Sequence, residues 1–288
     1  MNFDLPLLLE YLHVDLIGDN LYQGKNIPGK RRAVFGGQII AQALSAALKS
    51  SSADRFPHSV HCHFLLAGDM DLPIQYRVTP LRDGGSYSLR QVAATQASKT
   101  IFIATVSLQK PESGLQHQQA APIMTPREDM ISEFEFWQSI QAERPELTYL
   151  RPENFTALEI LSRFRPGVFN PKPQEEAKQS FWLKANGEVP TPADNFLLIA
   201  FLSDLQFMNT ALHAHPYTLT HPDMMAASLD HCLWFYGNLN LEKWLYYDMH
   251  SPVSSSGRGL NHGYFYTESG DLVVATTQEG MMRVKKKP

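Results

Sequence analysis

IFIATVSLQ (residues 101–109) and LVVATTQEG (residues 272–280) share an Ala-Thr pair, at 104–105 and at 275–276, an offset of 171 residues. Each stretch follows a turn signal, Ala97-Ser98-Lys99 in one case and Ser269-Gly270-Asp271 in the other. Each turn follows an alternating run, 86–94 and 260–267. Further upstream, His61-Cys62-His63-Phe64 and His231-Cys232-Leu233-Trp234-Phe235 open strand-like segments, and Phe64 and Phe235 are again 171 apart. Similar elements recurring in the same order predict an internal duplication.

Working outward, each half contains one conspicuous helix. In the first, Ile39, Ile40, Ala43, Leu44, Ala47 and Leu48 recur at helical spacing behind Gly36-Gly37, giving a wide apolar stripe. In the second, Thr191-Pro192-Ala193-Asp194 combines a capping Thr, Pro at the first helical position and an acid at the third, which is a helix start. It leads into Phe196 to Leu202, apolar all round and hence a buried helix. Four strand-like stretches follow each helix, near 57–66, 72–82, 86–97 and 100–109, and near 224–235, 242–252, 257–268 and 271–283. The pattern predicts an α+β fold: two antiparallel sheets, each wrapping a long buried helix. The halves are expected at 1–112 and 151–288. A Pro-rich linker at 113–150 joins them, with a short amphipathic helix from Ile131 to Ile140. A second Pro-rich loop runs from Arg165 to Pro173.

The 288 residues are 43% hydrophobic and 19% charged, the composition of a chain that buries a proper core. A net charge of -4 argues against a nucleic-acid partner; the basic run Lys285-Lys286-Lys287 reads as a solvated tail. Cys62 and Cys232 are too few for a disulfide framework and point to a reducing compartment. Met1-Asn2-Phe3-Asp4 lacks the basic start of a signal peptide, and no apolar run is long enough to span a bilayer. The expectation is a cytoplasmic protein with no stable membrane association. The ending Lys-Lys-Lys-Pro lacks a peroxisomal address.

Asp204 is the anomaly in this pattern, a carboxylate among Ala200, Phe201, Phe207 and Met208. Burying it is costly unless it is paired or hydrogen-bonded, and such groups concentrate at functional sites. An Asp that bonds nearby backbone or faces a partner subunit fits the residue equally well. Gln278 shares a strand face with Leu272, Val274 and Thr276; it can orient a water or mark where the strand meets solvent, the second being the commoner case. Ser228 opens another strand with the same two readings. Together the three can form an Asp–hydroxyl–amide set in which Asp204 polarises water. A Ser-His-Asp triad from Ser228, Asp230 and His231 is disfavoured, because adjacent strand residues face opposite ways. No G-x-S-x-G elbow exists, Gly84-Gly85-Ser86-Tyr87-Ser88 being a turn. His58, His61 and His63 lack a following ligand at metal spacing, so no metal site is expected. Gly36-Gly37 opens a helix whose N–H groups could face an anion.

Six segments in this order resemble the acyl-CoA thioesterase II (TesB-like) family of double-hotdog enzymes. They are Val34-Phe35-Gly36-Gly37-Gln38, Leu81-Arg82-Asp83-Gly84, Leu202-Ser203-Asp204-Leu205, and Ser228-Leu229-Asp230-His231 with Trp234-Phe235. Ser254-Ser255-Ser256-Gly257-Arg258-Gly259 and Thr277-Gln278-Glu279-Gly280 complete the set. The resemblance implies hydrolysis of acyl-CoA to fatty acid and CoA by activated water, with no cofactor, no metal and no acyl-enzyme. It implies a catalytic set of Asp204, Ser228 and Gln278, with Ser228 standing where many bacterial members carry Thr. Gly36, Gly37 and Arg258 are the expected substrate contacts, and a homodimer or homotetramer the expected assembly. Gln38 and Gln42 occupy the first-half helix where a second centre would need an acid, which implies one active site per chain. Two alternatives remain: a hotdog hydratase or dehydratase, which usually needs a His beside the carboxylate, and a non-catalytic acyl-CoA binding module.

Overall fold

The computed structural model describes residues 3–29, 32–143, 155–163, 173, 176–219 and 221–285. The chain begins with helix α1 (Leu5–Leu12), strands β1 (Asp15–Gly18) and β2 (Leu21–Gly24), and helix α2 (Gly36–Lys49). Strands β3 (Phe56–Phe64), β4 (Ile74–Asp83), β5 (Tyr87–Gln96) and β6 (Lys99–Gln109) complete the first half. The connection supplies β7 (Ile131–Ser132) and α3 (Glu133–Glu143). The second half has β8 (Leu158–Ser162), β9 (Lys178–Ala185), α4 (Pro192–Ser203) and α5 (Asn209–Leu212). It ends with β10 (Met224–Ser228), β11 (Asp230–Phe235), β12 (Leu245–Ser255), β13 (Arg258–Thr267) and β14 (Leu272–Val284).

The four strands expected after each helix are present, but the expected strand 224–235 is broken at Leu229 into β10 and β11. The two expected sheets are joined edge to edge. The order is β1-β2-β4-β5-β6-β3-β11-β14-β13-β12-β9-β8-β7, with β10 also on β14, and the halves meet where β3 pairs antiparallel with β11. Reading outward from that seam, β3, β6, β5, β4 and β2 mirror β11, β14, β13, β12 and β9. The repeated Ala-Thr pairs fall on β6 and β14, which are equivalent in this order. The additional strands β1, β2, β8 and β9 are short, or lie outside the four-strand repeat, so alternation gives them little signal.

Helices α2 and α4 pack against each other, and α2 also lies on β3, β4, β5 and β6. The start signal of α4 forms a full capping box: Thr191 accepts from the Asp194 N–H, and the Asp194 carboxylate accepts from the Thr191 N–H. From Leu197 to Ser203 every α4 residue is buried, the all-round burial that its sequence predicts. Gln38 and Gln42 are buried in polar duty on α2. The Gln42 amide donates to the Tyr11 and Lys25 carbonyls and accepts from the Tyr76 hydroxyl. The Gln38 amide donates to Lys25 and Asn26 and accepts from the Ile27 N–H.

The connection does not run free. It crosses the outer face of the second half's sheet, where Met124 and Met130 pack with Trp182, Tyr246 and Tyr266, and the Trp182 indole donates to the Thr125 carbonyl at 2.7 Å. The expected helix from Ile131 starts two residues later as α3, and residues 144–150 lie outside the described residues, as does Arg165–Pro173 apart from Pro173. Of the basic tail run, Lys286 and Lys287 also lie outside them.

Candidate active site

Asp204 stands at the C-cap of α4 rather than within it, with φ -88° and ψ -6°. The chain then turns sharply, Gln206 taking a left-handed φ of 55°, a conformation that L side chains adopt rarely. This turn ends the apolar helix and delivers one carboxylate to a place where helix and sheet meet. Asp204 is 9% exposed. Its Oδ2 accepts from the Gly37 N–H at 3.0 Å, and its Oδ1 accepts from Gln278 Nε2 at 2.6 Å. Both bonds offset part of the cost of burying the group, and the first comes from the N-terminus of α2, the end of a helix that favours negative charge.

Gly36 and Gly37 are therefore brought to Asp204. A Cβ on Gly36 would lie 2.6 Å from Asp204 Oδ2, and one on Gly37 would lie 2.6 Å from Phe35 Cε1 and nearer still to the Phe201 carbonyl oxygen. The pair lets α2 approach the end of α4 closely enough for the Gly37 N–H to reach the carboxylate. That N–H is occupied by Asp204 and is not a free donor for a substrate anion.

Gln278 is completely buried on β14. A carboxylate can only accept, so the amide atom 2.6 Å from Asp204 is the nitrogen. The second Nε2 hydrogen points to His231 Nδ1 at 3.1 Å. Oε1 is left buried with no hydrogen-bond partner among the described residues. Ser228, half-buried, pairs with Gly280, two residues from Gln278 on the same face of β14. Among the described residues no hydrogen bond joins Ser228 to Asp204 or Gln278. Arg258 faces the other way. It is exposed and ion-paired with Glu279 at 2.9 Å, on the sheet face opposite Gln278.

His231 is the residue that strand parity hides. In a regular strand, residues 228 and 231 face opposite ways. Here β10 pairs Ser228 with Gly280 while β11 pairs Cys232 with Thr277, so four steps on one strand oppose three on β14. Leu229 is the extra residue of a β-bulge. The bulge is held by the Leu229 N–H donating to the Glu279 carbonyl and by the Glu279 N–H donating to Asp230 Oδ1 at 2.7 Å. Past it, His231 lies opposite Gln278, on the face Ser228 occupies. The imidazole is fully buried, and desolvation pushes its pKa down to about 3, so it is neutral at physiological pH. Its Nε2 lies 2.9 Å from Ser203 Oγ. The one available signal was Asp230, a polar side chain able to fill a ladder position, which by itself is too common to single out a bulge.

Beside the site lies an apolar pocket lined by Ile27, Phe35, Met70, Leu158, Phe201 and Leu205, among others. Several of these residues flank Gly36 and Asp204 in sequence. No described helix is long and apolar enough to cross a membrane.

The chain is similar to known proteins over nearly its whole length. The sequence profile described as acyl-CoA thioesterase matches residues 156–281, and that described as the acyl-CoA thioesterase N-terminal domain matches residues 27–109. Human acyl-coenzyme A thioesterase 8 is 36% identical, over 97% of this chain and 89% of the human one. Acyl-CoA thioesterase 2 of Haemophilus influenzae is 35% identical, over 96% of each. The crystal structure of an acyl-CoA thioesterase II from Mycobacterium marinum superposes with a TM-score of 0.76 at 29% identity, covering 96% of this chain and 98% of the other.

Proposed function

The chain belongs to the acyl-CoA thioesterase family and is a thioester hydrolase, and from that premise we propose that it releases fatty acid and CoA from acyl-CoA with a water activated by Asp204. The observation that supports this site most directly is the buried carboxylate held between the Gly37 N–H and the Gln278 amide. A group so placed is pre-positioned to take a proton.

In this reading Asp204 removes a proton from water as its oxygen adds to the thioester carbonyl carbon, and the carbonyl π electrons move to oxygen. Collapse of the tetrahedral species breaks the C–S bond, and the proton held by Asp204 passes to the departing thiolate. The Gln278 Oε1 and the Ser228 hydroxyl hold the water. The thioester carbonyl is electrophilic and thiolate leaves readily, so no covalent enzyme intermediate is required. The pocket by Phe35 and Phe201 takes the acyl chain. A dehydratase reading regains interest once His231 enters the site. Both ring nitrogens, however, are engaged, by Ser203 and Gln278, which leaves neither free to move a proton.

We further propose that the protein acts in the cytoplasm as a homodimer or homotetramer. The proposed halves are residues 1–112 and 151–288, joined by 113–150; the profile matches at 27–109 and 156–281 support that division. The experiment is thiol release across a series of acyl-CoA chain lengths by the wild type and by Asp204→Asn. The expected outcome is wild-type turnover and a loss of at least roughly 10³-fold in the variant with its fold preserved, the combined worth of a general base and its positioning. Near-wild-type hydrolysis by Asp204→Asn would remove the assignment.

A further inference from the structure

The hydrogen bonds around Gln278 leave no freedom of direction. Ser203 Oγ lies 2.9 Å from the Ala200 carbonyl, which can only accept, so the Ser203 hydroxyl hydrogen is committed there. The 2.9 Å contact between Ser203 Oγ and His231 Nε2 must then be a donation from Nε2–H. A neutral imidazole protonated on Nε2 presents a lone pair at Nδ1, which accepts from Gln278 Nε2 at 3.1 Å. The other Gln278 hydrogen goes to Asp204. The donations diverge from the Gln278 amide, one to Asp204 and the other through His231 and Ser203 to the backbone of α4.

From this relay we infer that His231 is a positioning residue: it keeps the donor edge of the Gln278 amide turned inward, and so keeps Oε1 presented to the attacking water throughout the reaction. The inference rests on the proposed role of Asp204 as the base. While Asp204 is ionised, it alone would hold the amide nitrogen towards itself. Once Asp204 has taken the water's proton it is a donor, and its preference for Nε2 over Oε1 disappears. At that moment the Nδ1 lone pair of His231 is the group that still opposes rotation of the amide, since a flipped Oε1 would face another acceptor. Oε1, fully buried and without a protein partner among the described residues, is the acceptor left over by this arrangement.

The ring's surroundings suit a fixed tautomer. Phe207 packs against it edge-on, with centroids 5.7 Å apart. The titratable groups around it are Cys62, whose thiol donates to the His231 carbonyl, Asp204 across the Gln278 amide, and Tyr247, whose hydroxyl donates to the Ser203 carbonyl. Burial raises the pKa of both Cys62 and Tyr247 well above their ordinary values, so both are neutral beside the ring.

The test is a double-mutant cycle in the thiol-release assay with the full chain. His231→Phe is expected to lower kcat roughly 10- to 100-fold, in line with a small misplacement of a reacting group, with KM within about threefold. His231→Asn, which restores an acceptor oxygen, is expected to recover part of that loss. In a Gln278→Ala background, His231→Phe is expected to cost less than about threefold more, because coupled residues do not act additively. Should His231→Phe fail to fold, nitrogen-15 NMR of the wild-type imidazole decides: Nε2 protonated and Nδ1 bare from pH 5.5 to 8 supports the relay. A ring protonated on Nδ1 in that range overturns it, and so do independent, multiplying effects of the two substitutions. If Asp204→Asn is inactive while the cycle is additive, only the role of His231 falls; if Asp204→Asn turns over normally, the underlying reading of the site falls.

Discussion

Replacing Gly37 by Ala tests how tightly the meeting of α2 and α4 is drawn. On helix propensity alone the change would stabilise the protein by about 1 kcal/mol. The added Cβ, however, would sit 2.6 Å from Phe35 Cε1 and closer still to the Phe201 carbonyl oxygen. The ring could swing aside; the carbonyl, part of the buried helix α4, could not. Relief requires the start of α2 to withdraw by roughly 1 Å, an overpacking cost of about 1–3 kcal/mol. The same withdrawal stretches the 3.0 Å bond from the Gly37 N–H to Asp204 Oδ2 beyond hydrogen-bonding range. A bond to a buried charged group is worth about 1.5–3 kcal/mol. The net expectation is a loss of about 2–4 kcal/mol, a fall in Tm of several degrees by thermal unfolding. A drop in kcat on the order of 100-fold accompanies it, because Asp204 Oδ2 loses the Gly37 N–H that fixes it. Differential scanning calorimetry and thiol release on the same preparation give both numbers. A variant with unchanged or raised Tm and kcat within threefold of wild type would refute the argument that this close approach positions the carboxylate.

Three further outcomes follow from the same geometry. Ser228→Ala should reduce kcat roughly 10- to 100-fold with little change in Tm, since a hydroxyl that binds reacting water contributes to turnover more than to folding; an unaltered kcat would remove Ser228 from the set. Asp194 is a stability group: burial raises its pKa, but the hydrogen bonds from His13 at 2.7 Å and from Thr191 outweigh that and hold it below the usual carboxylate range. Its contribution is therefore present above the ordinary Asp pKa and lost as pH falls through the depressed folded value, so Asp194→Asn should cost about 1–2 kcal/mol at pH 7. The difference from wild type should begin to shrink below about pH 4, where the unfolded-state Asp takes up its proton, and keep falling until the lower folded value is passed, as denaturant melts from neutral pH down into strong acid would show. Gln42→Leu should cost about 2–4 kcal/mol in the same melts, because it strands the buried Tyr76 hydroxyl and takes a donor from the Tyr11 and Lys25 carbonyls.

The duplication, the two helices and the four-strand meander of each half were legible in the chain because each rests on local periodicity. Alternation along 101–109 and 272–280, the apolar stripe of 39–48 and the capping box at 191–194 are satisfied by neighbours within a few residues. Asp204 was visible for the same reason, as a charge in a run whose local surroundings are apolar. Its partners were not. Gly37 and Gln278 lie 167 and 74 residues away along the chain, and nothing local states that a helix start and the middle of a strand converge on one carboxylate. The edge-to-edge joining of the halves through β3 and β11 is likewise a choice among strand edges that period-two patterning leaves equal. His231 marks the boundary most sharply. Sequence parity assigns it to the wrong face, and only the extra residue at Leu229, stabilised by backbone partners on β14, turns it inward. Local chemistry thus determined which elements form and which residue is out of place; the long-range pairing of strands and the close approach of two helices decided what that residue touches.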